Sequence, residues 1–370
     1  MRSVPFFNYP ALFTSQEAEF QRIFADVGRR GAFIKHRDLE EFEKCLASFL
    51  GVSHALGVGN ATDGLEVALL AAGVKDGDEV ILSSHTMLAT AVAVHFAGAK
   101  PVPVECGPDH LIDPAAVEAA LTPRTRAIMP TQLNGRTCDM DALGRIANTH
   151  GLLIVEDAAQ ALGSRFKGRC AGSFGASAAI SFYPAKVLGC MGDGGAVVTN
   201  DTRIYEHASQ LCNFGRDFAG EVVRWGFNSR LDNLHAATLH FQLNKYGNVM
   251  CRRRQLAALY AERLKNVAEV VLPPAPDSDP DHFDIYQNYE IEAEHRDELK
   301  RHLKEHGIGT LIQWGGQAIH QLKALGFTQH LPHTDWLFTR LVMLPMNMSL
   351  SDDDVHYVCD NIRDFYGYTQ

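Results

Sequence analysis

Short apolar runs that alternate with helix-like stretches are the sequence feature that most constrains the fold. Strand patterns occur at residues 79–82, 100–104, 127–130 and 152–156. Helical patterns lie between them, for example at 87–97 and 139–149. This alternation is typical of a mostly parallel sheet that is covered by helices on both faces. The sequence therefore predicts an α/β protein.

The 370 residues are enough for two domains. We place the boundary near residue 246, where a helix predicted over 232–246 ends and the composition changes. Residues 265–284 then form a turn-rich connection. A helix over 296–306, a strand over 310–314 and a final helix over 352–365 would follow it. The prediction is a large domain over 1–245, which includes an N-terminal arm, and a smaller C-terminal α+β domain over 246–370.

Composition excludes several classes of function. The net charge of −10 argues against nucleic acid or an anionic membrane as a partner. The 8 cysteines form no C-x-x-C pair, and the N-terminus has no apolar signal segment, so we expect reduced thiols and a cytoplasmic protein. The 17 histidines show no H-E-x-x-H or other metal spacing, so no metal site is predicted.

A glycine-rich turn that contains Lys186 lies between two predicted strands, at 178–182 and 195–199. A lysine near strand ends can be partly shielded from water, which lowers its pKa and lets the amine form a Schiff base. A solvated loop lysine is the alternative interpretation of this turn alone.

Two acidic residues end the predicted strand at 152–156. Its apolar residues bring Glu156 and Asp157 to the carboxyl end of the strand, the edge where open α/β sheets bind ligands. A carboxylate there can keep a pyridinium nitrogen protonated, as pyridoxal phosphate (PLP) chemistry requires. An acid that caps a neighbouring helix is the alternative.

In the stretch at 57–73, small residues lead directly into a helix that carries Leu65, Leu69 and Ala72 on one side. Backbone N–H groups at the start of this helix, together with the Thr62 hydroxyl, would form an anion site, although a plain N-cap explains the pattern equally well. The dinucleotide fingerprint G-x-G-x-x-G is not met, because residue 62 is threonine.

Together these stretches resemble the DegT/DnrJ/EryC1/StrS family of PLP-dependent sugar aminotransferases. The resemblance covers nearly the whole chain. The motifs that carry it are Gly57-Val-Gly-Asn-Ala-Thr-Asp-Gly, Gly77-Asp-Glu-Val, Gly98-Ala-Lys-Pro, Glu156-Asp-Ala-Ala-Gln, Ser181-Phe-Tyr-Pro-Ala-Lys, Gly192-Asp-Gly-Gly, Gly226-Phe-Asn-Ser-Arg, Leu344-Pro-Met and Leu350-Ser-Asp-Asp-Asp-Val. The resemblance implies the fold of the fold-type I aminotransferases, with PLP as cofactor.

The resemblance also implies roles for individual residues. Lys186 would hold the cofactor as a Schiff base and move the proton, and Asp157 would pair with the pyridinium nitrogen. The remaining cofactor residues would bind the phosphate or the ring, and they are Thr62, Asp63 and Ser181 for the phosphate, Gln160 for the ring oxygen and Ala159 for one ring face.

The resemblance also implies residues that contact the outer face of the cofactor ring and residues that contact a second subunit. Relatives often stack an aromatic residue on the ring near Ser84-His-Thr-Met; this chain offers His85 and Met87 there, and His85 is the preferred candidate. Asn228 would contact the cofactor phosphate of a partner subunit, which implies a homodimer with shared active sites. Arg230 would also reach the active site of the partner subunit.

The candidate substrate residues are Arg230, Gln313, Trp314 and His320. Many relatives that use nucleotide sugars have a His-Tyr-Pro-like run where this chain has Gln313-Trp-Gly-Gly. The predicted reaction transfers an amino group from L-glutamate to a keto or aldehyde sugar, most simply a nucleotide-linked sugar for surface polysaccharide or lipopolysaccharide. Three alternatives stay open: a free 8-oxo-3-deoxy-octulosonate as substrate, a PLP-dependent sugar dehydratase, and a PLP-binding sensor. Lys186 argues against the dehydratase, because dehydratases of this family carry histidine there.

Overall fold

The computed structural model describes residues 2–368. Its α-helices are α1 (Tyr9–Thr14), α2 (Glu17–Arg30), α3 (Arg37–Leu50), α4 (Ala61–Ala72), α5 (Leu88–Phe96), α6 (Pro114–Ala119), α7 (Met140–His150), α8 (Thr202–Leu211), α9 (Asn233–Leu243), α10 (Tyr246–Leu264), α11 (Arg296–Glu305), α12 (Pro332–Phe338) and α13 (Asp352–Phe365). Among the described residues, no helix has both the length and the apolar character needed to cross a lipid bilayer.

The strands form three sheets. They are β1 (His54–Val58), β2 (Glu79–Ser83), β3 (Lys100–Val104), β4 (Thr125–Met129), β5 (Leu153–Asp157), β6 (Arg165–Phe166), β7 (Arg169–Cys170), β8 (Ser177–Ser181), β9 (Gly195–Thr199), β10 (Val270–Val271), β11 (His282–Phe283), β12 (Tyr289–Ala293) and β13 (Leu341–Leu344). The main sheet has 7 strands in the order β1-β9-β8-β5-β4-β2-β3.

The main sheet is mostly parallel, as the sequence predicts. The pairs β2–β3, β2–β4, β4–β5 and β5–β8 are parallel, whereas β9 runs antiparallel to both β8 and β1. Strands β2, β8 and β9 are buried at every residue because helices cover both faces of the sheet. α4 lies close to β8; a Cβ on Gly64 would come within 3.3 Å of the Ala179 Cβ.

The C-terminal part of the chain contributes a second sheet of 3 antiparallel strands, in the order β10-β12-β13. Its apolar core also contains Val4, which forms a bridge with Ile308. β11 pairs instead with β6, so residues after 246 also contact the earlier part of the chain. The domain division at 245/246 stays a prediction, although Lys245 does separate α9 from α10.

Near this part of the chain one predicted element is wrong, and one helix ends earlier than predicted. Residues 310–314 are not a strand, because Trp314, Gly315 and Gly316 have positive φ angles (50°, 71° and 81°) that turn the backbone away from an extended path. The helix predicted over 232–246 ends at Leu243, before a new helix begins at Tyr246. By contrast, the final helix has the predicted bounds, Asp352–Phe365.

Candidate active site

A cavity of about 520 Å³ opens at the carboxyl edge of the main sheet, beside the start of α4. Ligands bind at this edge in open α/β sheets. The sequence-predicted residues that line the cavity are Thr62, Asp63, Asp157, Ala159, Gln160, Ser181, Lys186 and Trp314. The fold thus brings together residues from segments more than 250 positions apart in the chain.

Lys186 follows β8 in a tight turn that the surrounding backbone holds in place. Its amide donates to the Tyr183 carbonyl at 2.8 Å. The Gln287 side chain binds the backbone on both sides of Lys186. Its Nε2 donates to the Ala185 carbonyl and its Oε1 accepts from the Val187 amide, each at 2.9 Å. Within residues 2–368 the Lys186 ammonium makes no hydrogen bond or ion pair. Burial lowers the Lys186 pKa to about 8, and the negative charge of Asp157 opposes that shift only in part.

Asp157 ends β5 and is 4% exposed. Its Oδ2 accepts a hydrogen bond from the Thr90 hydroxyl at 2.7 Å, and its Oδ1 accepts from the Ala159 amide at 3.2 Å. Burial raises the pKa of the Asp157 carboxyl, while these two donors and the charge of Lys186 act in the opposite direction.

A line of threonine hydroxyls continues from Asp157 through Thr90, and sequence reasoning missed it. The Thr86 hydroxyl lies 2.8 Å from those of both Thr90 and Thr131. All three threonines are buried. Thr86 and Thr90 are four residues apart, a spacing that brings side chains together around a helical turn, and this is the one sequence feature that points to their contact. The line of hydroxyls orients the Thr90 hydroxyl toward Asp157.

Glu156, the other acid at the end of β5, has a structural role. Its carboxylate accepts backbone hydrogen bonds from Gly172, Phe174 and Gly175 at 2.6–2.9 Å, and one from the Gln132 side chain at 2.7 Å. These donors hold the loop before β8 against β5. Side chains of successive strand residues point to opposite faces, so only Asp157 reaches the cavity.

The start of α4 supplies backbone N–H groups to the cavity. The Asn60 side chain caps the helix by accepting from the Asp63 amide at 2.9 Å. Ala61 and Thr62 in the first turn line the cavity, and N–H groups in the first turn of a helix have no partner within it. Ser181 also faces the cavity. Gly195 lets β9 lie close to the start of α4, since a Cβ at this position would lie 2.6 Å from the Asn60 carbonyl carbon. The Asp63 carboxylate accepts from the Ser229 hydroxyl at 2.6 Å, so both its amide and its carboxylate already have partners.

Gln160 and Gln313 lie side by side at the other end of the cavity. The Gln160 Oε1 accepts from the Asn134 amide at 2.9 Å. Gln313 is buried, and its Nε2 donates to Asn134 Oδ1 and to Glu290 Oε2, each at 2.8 Å. Gln313 therefore supports this wall from behind, while Trp314 lines the cavity.

Two predictions for this region need correction. His85 does not line the cavity: it is 0% exposed, and its Nδ1 donates to the His110 carbonyl at 3.1 Å. Burial lowers the His85 pKa to about 4. Met87 is the residue of this stretch that faces the cavity with an apolar side chain, because the chain turns outward between the end of β2 and α5. His320 is also buried outside the cavity, where its ring bridges the Ser84 hydroxyl (2.7 Å) and Asp335 (2.9 Å).

Asn228 and Arg230 do not line the cavity of their own chain. Asn228 is exposed and lies opposite Asn213 in an isolated bridge. The Arg230 guanidinium lies over the Phe214 ring, 6.0 Å from its centroid. Their predicted roles toward a partner subunit stay predictions.

Comparison with known proteins identifies the family. The model of the DegT/DnrJ/EryC1/StrS aminotransferase family matches residues 14–363. The chain belongs to this family. The match spans both the cavity and the C-terminal sheet, so it includes every element described above except α1 and the end of the last helix.

Individual relatives cover almost the whole chain. It is 40% identical to a dTDP-3-amino-3,4,6-trideoxy-alpha-D-glucose transaminase of Streptomyces venezuelae, over 98% of this chain and 96% of that protein. It is 35% identical to a UDP-2-acetamido-2-deoxy-3-oxo-D-glucuronate aminotransferase of Pseudomonas aeruginosa, over 93% and 94%. The crystal structure of S. venezuelae DesV in complex with a ketimine intermediate superimposes with a TM-score of 0.95 at 38% identity, covering 100% of both chains.

The family depends on PLP, and a structural relative from Bacillus subtilis (NtdA; TM-score 0.90, 27% identity, 99% and 86% of the chains) has bound PMP. The cavity fits this cofactor. An amine without a protein partner, a buried carboxylate and the positive end of a helix surround one space, and these match the aldehyde, the ring nitrogen and the phosphate of PLP.

Proposed function

We propose that this aminotransferase transfers the amino group of L-glutamate to the carbonyl carbon of a nucleotide-linked keto sugar, in the synthesis of amino sugars for a surface polysaccharide or lipopolysaccharide. The observation that carries the proposal is the convergence of Lys186, Asp157 and the α4 N-terminus on one cavity. When bound, PLP would supply an electron sink that stabilises negative charge at the carbon next to the nitrogen.

Lys186 has two tasks in this proposal. Its Nζ would hold the cofactor in the resting enzyme, and once free it would move the proton at the reacting carbon. The lowered pKa supports both tasks. At pH 7.5, a pKa of about 8 leaves roughly a quarter of the amine uncharged, against about 0.1% for an ordinary lysine.

Asp157 keeps a proton on the ring nitrogen by remaining ionised beside it. The Thr90 hydroxyl and the Ala159 amide, which both donate to its oxygens, favour that ionised form and orient the carboxylate. Ser181 and the first N–H groups of α4 would bind the phosphate, and Gln160 would bind the ring oxygen. Met87 and Ala159, which also line the cavity, would cover the ring.

The names of the relatives support a nucleotide sugar as the acceptor. The two relatives described above act on dTDP- and UDP-linked sugars, as their names state. Gln313 supports the wall from behind, so Trp314 is the residue of the turn at 313–316 that meets the sugar.

A homodimer is the proposed assembly. The segment from Phe214 to Phe227 exposes a series of large apolar side chains, including Trp225 at 96% exposed and Phe218 at 70%. An exposed apolar surface of this kind is typical of a protein interface. Asn228 follows directly and would contact the phosphate in the partner's active site. We also propose that the enzyme works in the cytoplasm, where PLP, glutamate and nucleotide sugars are present together.

Absorption spectroscopy in two steps tests the proposal. The PLP-loaded protein is mixed with L-glutamate, and the spectrum of the lysine-bound cofactor should disappear. Keto sugars are then added in turn, and a dTDP- or UDP-linked keto sugar should restore the original spectrum. Restoration only by free 8-oxo-3-deoxy-octulosonate would replace the nucleotide sugar with that acceptor. No change with glutamate would refute the proposed donor.

A further inference from the structure

Two histidines and a glutamate converge beside the active site, outside the residues assigned to PLP. His85 follows β2, His110 follows β3, and Glu290 lies on β12. One ligand atom from each of the three lies within 4.8 Å of the others. We infer that His85 Nε2, His110 Nδ1 and Glu290 Oε1 form a zinc site.

The first observation that points to a cation is the His85 Nε2. The His85 ring is completely buried, and its Nε2 has no hydrogen-bond partner among the described residues. The Nδ1 donates to the His110 carbonyl, because a carbonyl can only accept. A neutral ring held in this way directs the Nε2 lone pair at Glu290 Oε1, 3.6 Å away. Glu290 Oε1 already accepts from the Asn134 side chain, whereas no donor among the described residues reaches the His85 Nε2. A cation between His85 Nε2 and Glu290 Oε1 would give that buried lone pair a partner.

The second observation is the spacing of the ligand atoms. His85 Nε2 and His110 Nδ1 lie 3.6 Å and 3.3 Å from Glu290 Oε1. In a tetrahedral zinc site with bonds of about 2.0–2.1 Å, neighbouring ligand atoms are about 3.4 Å apart. These two separations match an edge of a zinc tetrahedron, and the third, between the two histidine nitrogens, is at most 4.8 Å.

The third observation is that further contacts orient every ligand. The His110 Nε2 faces Glu292 Oε1 at 3.4 Å, the carboxylate–histidine arrangement found behind zinc ligands. The His85 Nδ1 has the His110 carbonyl, and Glu290 receives hydrogen bonds from Asn134 and Gln313 at 2.9 and 2.8 Å. Two imidazoles and one carboxylate suit zinc better than calcium or magnesium, which prefer oxygen ligands only.

An ion can enter this cluster from the surface. A cavity of about 70 Å³ is lined by His110 and Glu290, which is room for a water molecule as fourth ligand. Sequence motifs do not reveal the site, because its ligands are 25 and 180 positions apart and follow no short metal motif. A zinc ion here would hold β12 to the loops after β2 and β3. It would also fix the turn at 313–316, because the Trp314 ring packs against His85 with 5.3 Å between centroids.

Metal analysis of the PLP-loaded enzyme tests the site. The protein is dialysed against zinc chloride and then against buffer, and zinc is measured per chain. We expect about one zinc ion per chain in the wild-type enzyme and its loss in the H85A and E290Q variants. E292Q should weaken zinc binding about 10- to 100-fold while leaving the three ligands in place.

His302 and His306 on and next to α11 provide the matched control, since their rings lie 4.3 Å apart and could bind zinc at the surface. H306A should retain the bound zinc. Zinc that is lost in H306A but kept in H85A would overturn the proposal, as would a wild-type enzyme that retains none. If H85A and E290Q do not fold, cobalt substitution of the wild-type enzyme decides: a tetrahedral visible spectrum supports the site, and an octahedral one overturns it.

Discussion

The hydrogen bond from Thr90 to Asp157 gives the sharpest prediction, because it isolates one buried contact behind the proposed catalytic pair. T90V replaces the hydroxyl with a methyl group of similar size. It removes the 2.7 Å donor to Asp157 Oδ2 and leaves the Ala159 amide as the other protein donor. The Thr86 hydroxyl keeps Thr131 as its partner, so the change leaves no buried hydroxyl without a partner.

The expected magnitude follows from the charge of the acceptor. A hydrogen bond to a charged group contributes about 1.5–3 kcal/mol, which corresponds to roughly one to two pKa units. The carboxylate is already biased toward protonation by burial, and loss of the donor raises its pKa further. On the acidic side of the pH profile, where the ionised fraction of Asp157 limits the rate, the half-reaction with L-glutamate should therefore slow about 10- to 150-fold, and the difference from the wild type should shrink as the pH rises. D157N, which removes the charge altogether, sets the lower limit for this rate.

Stopped-flow spectroscopy of the half-reaction as a function of pH measures the effect. The acidic limb of the pH profile should move upward by about one to two units in T90V. T90S keeps a hydroxyl and should recover most of the rate, which separates the hydrogen bond from simple packing. A T90V enzyme with the wild-type rate and pH profile would refute the role given to Thr90. Equal defects in T90S and T90V would show that the methyl group matters instead.

Three further predictions concern Lys186 and the phosphate site. K186A should lose multiple turnover while it still binds PLP non-covalently; normal turnover would contradict the role of the lysine. In the cofactor-free protein, burial lowers the Lys186 pKa from 10.5 to about 8, so the unfolded state binds more protons between these values. Denaturant unfolding should accordingly show the wild type gaining stability relative to K186M as the pH rises from 8 to 10, and a constant difference would argue against the shift. G195A should weaken PLP binding at least tenfold in a titration, because its Cβ would lie 2.6 Å from the Asn60 backbone, whereas G144A, with nothing within 4 Å, should bind normally.

The sequence by itself determined the layers of the fold and the residues at the strand ends. Strands such as β2, β8 and β9 can be recognised from the sequence as apolar runs, because a strand buried on both faces is mostly apolar along its length. Asp157 and Lys186 could be found for a similar reason. Asp157 ends a recognisable strand and Lys186 lies in the turn after another, and the carboxyl ends of parallel strands meet at one edge.

Tertiary structure alone decided which polar side chains meet. His85, His110 and Glu290 come from three separate segments, and only the docking of β12 against the loops after β2 and β3 brings them together. The same docking buries Gln313 and leaves Trp314 facing the cavity. A backbone with positive φ at Trp314 replaced the expected strand, which local propensity does not reveal for a non-glycine residue. Periodicity reports whether a residue faces the core, but contacts between distant segments depend on packing, and packing is a property of the whole fold.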